Sequence, residues 1–196
     1  MRLYQFTITV SIFVFSMHIQ AAPWEAALGA KGEWTEQPEA RNLPPFCGTN
    51  PRYKNYKVNF SSAYLNHPCE SLVRRPICFN YSGRDKSNCF KAITKGFLYT
   101  LNLEKDPNFP LRPFLWCETG LTYFYGDSYR EAIDAYSQSI KINQKYTKAY
   151  AGLADVYIKL KQYDEANDII EKGLKQDPRS KKLLLKKEKV SKILKK

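Results

Sequence analysis

The sequence is poor in the side chains that most often carry chemistry. Only two histidines, His18 and His67, occur in 196 residues, which excludes most zinc, haem and histidine-based acid–base sites. None of the five cysteines forms a Cys-x-x-Cys unit, so the usual spacings of dithiol redox sites and paired-thiolate zinc sites are missing. We therefore expect no cofactor, no metal site and no catalytic residue.

Basic and apolar residues are plentiful. The sequence has 31 lysines and arginines against 19 acidic residues, a formal net charge of +12, and 43% of its residues are hydrophobic. This apolar content is too high for a disordered polycation, so we expect a packed core. The length suits a single domain.

Residues 1–21 have the pattern of a secretory signal peptide. Arg2 supplies the positive start, Phe6 to Met17 form an apolar stretch, and Ala21 offers a small-residue cleavage site. A transmembrane anchor is the alternative, but an apolar stretch of about 12 residues is shorter than the roughly 20 that span a bilayer. With no cysteine placed for lipidation, we expect a periplasmic or secreted protein. Export would let most of the cysteines pair, with one left over from an odd set.

The next segments differ in composition. The proline-containing residues 22–45 predict a flexible tether. Residues 46–112 predict a Cys-containing helical segment with a degenerate repeat. Its helices are expected at 61–75 and 87–104, separated by a loop at 76–86.

A shift of 34 residues superposes the second half of the chain on itself. The shift aligns aromatic with aromatic and small with small residues: Trp116 with Tyr150, Gly120 with Ala154, Tyr123 with Tyr157, Tyr129 with Tyr163 and Ala132 with Ala166. This pattern resembles the tetratricopeptide repeat, with copies at 113–146 and 147–180. The resemblance implies an all-α stack of helical hairpins. Two copies need cover at both ends, so the upstream helices and a basic capping helix at 181–196 are expected to supply it.

A wider resemblance covers residues 43–183. The order Leu-Pro-Pro-Phe-Cys at 43–47, then His67 two residues before Cys69, then the repeats, is similar to a functionally uncharacterised family of exported tetratricopeptide proteins of Gram-negative bacteria. That family carries two adjacent histidines where this chain has Asn66 and His67. The resemblance implies a disulfide between the two cysteines of this motif.

We expect the five cysteines to form two disulfides and to leave one thiol free. The resemblance implies that Cys47 pairs with Cys69. We expect Cys78 and Cys89 to form a second disulfide. Cys117, on the first repeat helix, is expected to remain a free thiol.

In resembling repeats, the first helix of each copy lines a concave groove for a peptide or a partner's helix. The corresponding positions here are Phe114, Cys117, Leu121 and Tyr125 in the first copy, and Lys148, Ala151, Asp155 and Lys159 in the second. One half is apolar and the other charged, which favours a ligand with an apolar anchor beside an acidic group. The alternative is that the upstream helices fill the first half of the groove. The resemblance implies a non-catalytic, protein-binding scaffold of the cell envelope.

The carboxy-terminal helix carries the strongest charge. Its lysines are Lys181, Lys182, Lys186, Lys187, Lys189, Lys192, Lys195 and Lys196. They predict either attraction to an anionic membrane or polymer, or a capping helix with a solvated face. Nucleic acid is not expected as a partner, since lysines without interleaved aromatic residues make no base-specific contacts.

Overall fold

The computed structural model describes residues 43–47 and 65–195. The predicted signal peptide at 1–21, most of the predicted tether and Lys196 lie outside this part. Seven α-helices occupy it, joined by turns and short 3₁₀ helices, and it contains no strand: α1 (Asn66–Arg74), α2 (Gly83–Leu103), α3 (Arg112–Tyr125), α4 (Tyr129–Ile142), α5 (Thr147–Lys159), α6 (Tyr163–Gln176) and α7 (Lys181–Leu194). The predicted all-α class is confirmed. In these stretches no helix is both long enough and apolar enough to cross a bilayer.

The helices stack as consecutive hairpins. Each helix packs against the next one along the chain, and α3, α5 and α7 also contact one another in that order. These three helices therefore form one face of the stack. The other members of the pairs, α4 and α6, lie behind them.

The 34-residue period is visible in the backbone. Helix α4 begins at Tyr129 and α6 at Tyr163, and the turn before each helix contains a non-glycine residue with positive φ, 59° at Asp127 and 61° at Lys161. The same turn is therefore built twice from different residues.

The upstream segment differs from its sequence-based prediction. Helix α1 starts at Asn66 and gives way to a 3₁₀ helix at Arg75–Asn80, where a loop was expected. Helix α2 begins at Gly83, four residues before the predicted start at residue 87. Gly83 has a φ of 53°, which glycine tolerates, and this lets the chain turn early into the helix.

Both predicted disulfides are confirmed. Cys47 is bonded to Cys69, and Cys78 to Cys89, while Cys117 is free and buried. Leu43, within the predicted tether, is only 6% exposed and packs with Cys69 and α1. The Cys47–Cys69 bridge links this part of the chain to α1.

A tyrosine fills the space between the two repeats. Tyr136 on α4 is 1% exposed, and its ring lies between Gly120 of α3 and Gly152 of α5. A Cβ atom at Gly152 would come within 2.4 Å of the ring, and one at Gly120 within 2.9 Å. The ring of Tyr136 therefore sets the spacing between α3 and α5.

Helix α7 caps the stack. Leu183 and Val190 are fully buried against the second repeat, and Leu183 lies close to Gly173 of α6. These two side chains cover part of the second repeat. Its other side chains, mostly lysine and leucine, remain at the surface.

Candidate peptide-binding groove

A groove of about 550 Å³ runs between α3, α5 and α7. It is lined by Cys117, Glu118 and Leu121 from α3, Lys148, Ala151, Gly152, Asp155 and Ile158 from α5, Lys182, Leu185, Lys186 and Lys189 from α7, and Tyr136 from behind. The walls of the groove are regular helices, so its shape is set by the packing of the stack.

The apolar part of the groove is formed by side chains from all three helices. Leu121 contributes from α3, Ala151 and Ile158 from α5, and Leu185 from α7. Leu185 is 67% exposed, unusual for a leucine on a capping helix. An apolar side chain seated here would remove that surface from water.

The two carboxylates of the groove are already neutralised. Glu118 accepts a hydrogen bond of 2.6 Å from Arg75, the residue that follows α1, and both side chains are less than one fifth exposed. Asp155 is ion-paired with Lys186 of α7. Neither carboxylate therefore presents a free negative charge to a ligand.

Three lysines of the groove have no such partner. Lys148, Lys182 and Lys189 make no ion pair with any carboxylate in the part of the chain that the structure describes. They surround the apolar patch from the α5 and α7 sides. The groove is therefore an apolar strip bordered by uncompensated positive charge.

Cys117 lies in the groove but is a poor nucleophile. Burial, with a smaller contribution from Glu118, raises the pKa of its thiol to about 12, although Lys148, Lys182 and Arg75 act in the opposite direction. The thiol is therefore protonated near neutral pH, whereas a reactive cysteine needs a thiolate. Of these three cations, Lys148 and Lys182 line the groove together with Cys117.

Side chains that bind metals are not clustered in the described ranges. Residues 43–47 and 65–195 hold no group of three or more histidine, cysteine, aspartate or glutamate side chains placed to bind a metal. Cys69 is committed to its disulfide, and the ring of His67 packs on Tyr99 at a centroid distance of 4.3 Å.

Five of the predicted groove positions line the groove: Cys117, Leu121, Lys148, Ala151 and Asp155. The other three do not.

Phe114 is covered by the chain's own Phe46, with ring centroids 5.3 Å apart, and Tyr125 packs on Phe79 at 4.9 Å. Lys159 is the last residue of α5 and lies beyond the groove's end. Upstream residues thus cover the first and last turns of α3, while the middle turns of this helix line the groove.

The sequence-based prediction omitted the α7 wall. Adding 34 to Lys148, Ala151 and Asp155 gives positions 182, 185 and 189, and the residues there, Lys182, Leu185 and Lys189, all line the groove. Helix α7 therefore stands where the first helix of a third copy would stand. The period itself was the signal that could have located these residues.

Residues 127–187 match the family model of the tetratricopeptide repeat. The match begins after α3 and ends within α7, while the groove also uses α3. A search of curated protein sequences finds no match.

Solved structures with this fold include domains of RPAP3. The NMR structure of the second TPR domain of human RPAP3, in complex with the HSP70 peptide SGPTIEEVD, has a TM-score of 0.50 at 17% identity and covers 66% of this chain and 98% of that one. The first TPR of Spaghetti (RPAP3), bound to the HSP90 peptide SRMEEVD, has a TM-score of 0.48 at 20% identity, with 64% and 96% covered. The first TPR domain of human RPAP3 has 0.48 at 20%, with 65% and 94% covered. The similarity to the second TPR domain of human RPAP3 is one of fold.

Proposed function

We propose that this chain is a non-catalytic binding protein whose groove holds an acidic segment of another protein through an apolar anchor. The observation that carries the proposal is the set of three uncompensated lysines, Lys148, Lys182 and Lys189, around an open apolar strip. We further propose, from the leader-like residues 1–21, that it acts as a scaffold in the periplasm or cell envelope.

The chemistry of the groove favours this class of ligand over others. An apolar anchor would lie against Leu121 and the exposed side chain of Leu185. Acidic groups beside the anchor would reach the lysines and set the ligand's register. A basic ligand would meet only Glu118 and Asp155, whose charges are already paired.

The solved domains give support by analogy. The second TPR domain of human RPAP3 is in complex with an HSP70 peptide whose sequence, SGPTIEEVD, ends in acidic residues around a valine. A peptide of that kind has the anchor and charges that this groove would accept. Fold similarity alone is a weaker argument than the site, so the proposal rests on the lysines and the leucines.

A second candidate function uses the outer side of α7. Leu184 and Leu194 are each 46% exposed, and Lys181 and Lys195 make no ion pair with a carboxylate of the described residues. Exposed leucines between lysines suit binding to an anionic membrane surface. This binding would weaken steeply with salt, whereas an anchor in the groove would keep part of its affinity.

Replacement of the three groove lysines tests the first proposal. The variant Lys148→Gln, Lys182→Gln, Lys189→Gln is expected to bind a fluorescein-labelled peptide of one tryptophan followed by four glutamates at least tenfold more weakly than the unaltered chain, since removing several charge contacts costs on the order of 1–2 kcal/mol. Fluorescence anisotropy at physiological salt gives the dissociation constants.

A matched variant controls for net charge. Lys141, Lys172 and Lys175 lie around a different hollow, between α4 and α6, and their replacement by glutamine removes the same charge. This control is expected to bind within about twofold of the unaltered chain. Equal losses in both triple variants would show non-specific attraction, and the groove proposal would then be abandoned.

A further inference from the structure

We infer that, in the absence of a partner, the groove is occupied by the chain's own acidic segment at residues 33–39, with Trp34 as the anchor. This inference rests on the proposed function of the groove. It identifies a segment of the chain that would compete with a partner for the groove. The segment lies outside the described residues, and its sequence, its point of attachment and the charge of the groove support this placement.

Charge complementarity points to one segment only. Outside the described residues, all carboxylates of the chain fall within 22–42, at Glu25, Glu33, Glu36 and Glu39. The other stretch, 48–64, has three basic residues and no carboxylate. It would add positive charge to a groove that already has an excess of lysine, so it does not suit the site.

The spacing within the segment fits the lysines of α7. Lys182 and Lys189 are seven residues apart, which is roughly 10 Å along a helix. Glu33 and Glu36 are three residues apart, which is also about 10 Å in an extended chain. Trp34 lies between them and is one of only three tryptophans in the sequence. The segment thus combines an aromatic anchor with acidic groups at the separation the groove presents.

The attachment point brings the segment near the groove. The described chain begins at Leu43, and Phe46 three residues later packs on Phe114 of α3. Leu121 lies two turns along the same helix, roughly 10 Å away. Leu43 follows Trp34 by nine positions, and an extended chain of nine residue steps spans up to about 30 Å. The reach is therefore sufficient.

The chain already covers part of this face with its own residues. Phe46 packs on Phe114 of α3, and the neighbouring residue Cys47 is bonded to Cys69 of α1. Residues 33–39 would continue this self-contact into the open half of the groove. A tethered segment acts at an effective concentration in the millimolar range, so even a weak contact would compete with a free ligand.

Neutralising the segment tests the inference in the full chain. The variant Glu33→Gln, Glu36→Gln, Glu39→Gln is expected to bind the same labelled tryptophan–tetraglutamate peptide about tenfold more tightly than the unaltered chain, because the competitor is weakened. The matched control is Asp164→Asn, Glu165→Gln, Asp168→Asn on the exposed side of α6, which changes net charge by the same amount. The control is expected to stay within about twofold of the unaltered chain.

The outcomes separate the two proposals. Equal affinities for the segment variant and its control, both of them binding, would overturn the inference and leave the groove's function standing. Failure of the peptide to bind any of the chains would overturn the function and the inference with it.

Carbodiimide coupling of a mixture of isotopically light and heavy chains gives the second readout. Coupling of residues 33–39 to Lys182 or Lys189 within one copy is the expected result. Coupling found only between light and heavy copies would replace self-occupation by exchange between molecules and so overturn the inference.

Discussion

Replacing Tyr136 by alanine is expected to lower the free energy of unfolding by about 3–5 kcal/mol, the usual cost of deleting a buried aromatic ring. The ring fills the space between α3 and α5 and is 1% exposed, so its loss leaves a cavity at the junction of the two repeats. Chemical denaturation followed by circular dichroism measures the change. Tyr136→Phe, which keeps the ring, is the control and is expected to cost about 1 kcal/mol or less.

Because of the same contact, we expect the effect of Gly152→Ala on stability to change sign when the ring of Tyr136 is removed. With Tyr136 present, Gly152→Ala places a methyl group within 2.4 Å of the ring and should destabilise the chain. With Tyr136→Ala, the methyl group enters the vacated space, and alanine should stabilise helix α5 by up to about 1 kcal/mol relative to glycine. A double-mutant cycle reads out this coupling. Additive effects of the two substitutions would mean that the ring does not lie against Gly152.

Removing the Cys78–Cys89 disulfide is expected to have the next largest effect. The variant Cys78→Ala, Cys89→Ala should lose about 3 kcal/mol by the chain-entropy estimate for a loop of this size. Both sulfurs are fully buried beside Phe90, so lost packing adds to the cost. Differential scanning calorimetry should show the melting temperature falling by roughly 6–12 °C.

Cys117→Ala provides the matched control for the disulfide. It also removes a buried sulfur but opens no loop, and it is expected to cost about 1 kcal/mol. A loss at Cys117 as large as that of the double variant would assign the stability to buried sulfur rather than to the cross-link.

Most of the fold could be predicted from the 34-residue period. Aligned pairs such as Tyr129 and Tyr163 are also the first residues of α4 and α6, because the repeat is a unit of backbone geometry as well as of packing. The upstream boundaries were predicted less well. Gly83 starts α2 early through its left-handed φ, a local property that the apolar spacing from Phe90 onward does not show.

The groove could be predicted only in part, because its limits depend on contacts between distant segments. No sequence pattern near Phe114 predicts that Phe46 packs on it, and none near Tyr125 predicts its contact with Phe79. The pairing of Glu118 with Arg75 is likewise a tertiary contact. The apolar and charged halves of the groove could therefore be predicted from the sequence. Which of its charged side chains form ion pairs could not.

Mapping the ligand's contacts on the chain tests the central claim most directly. Backbone NMR spectra of the ¹⁵N-labelled protein, recorded while the tryptophan–tetraglutamate peptide is added, should show shifts concentrated at Leu121, Gly152 and Lys182, which lie on the three walls of the groove. Shifts confined to Ile140, Leu153 and Lys172, around the hollow between α4 and α6, would contradict the account.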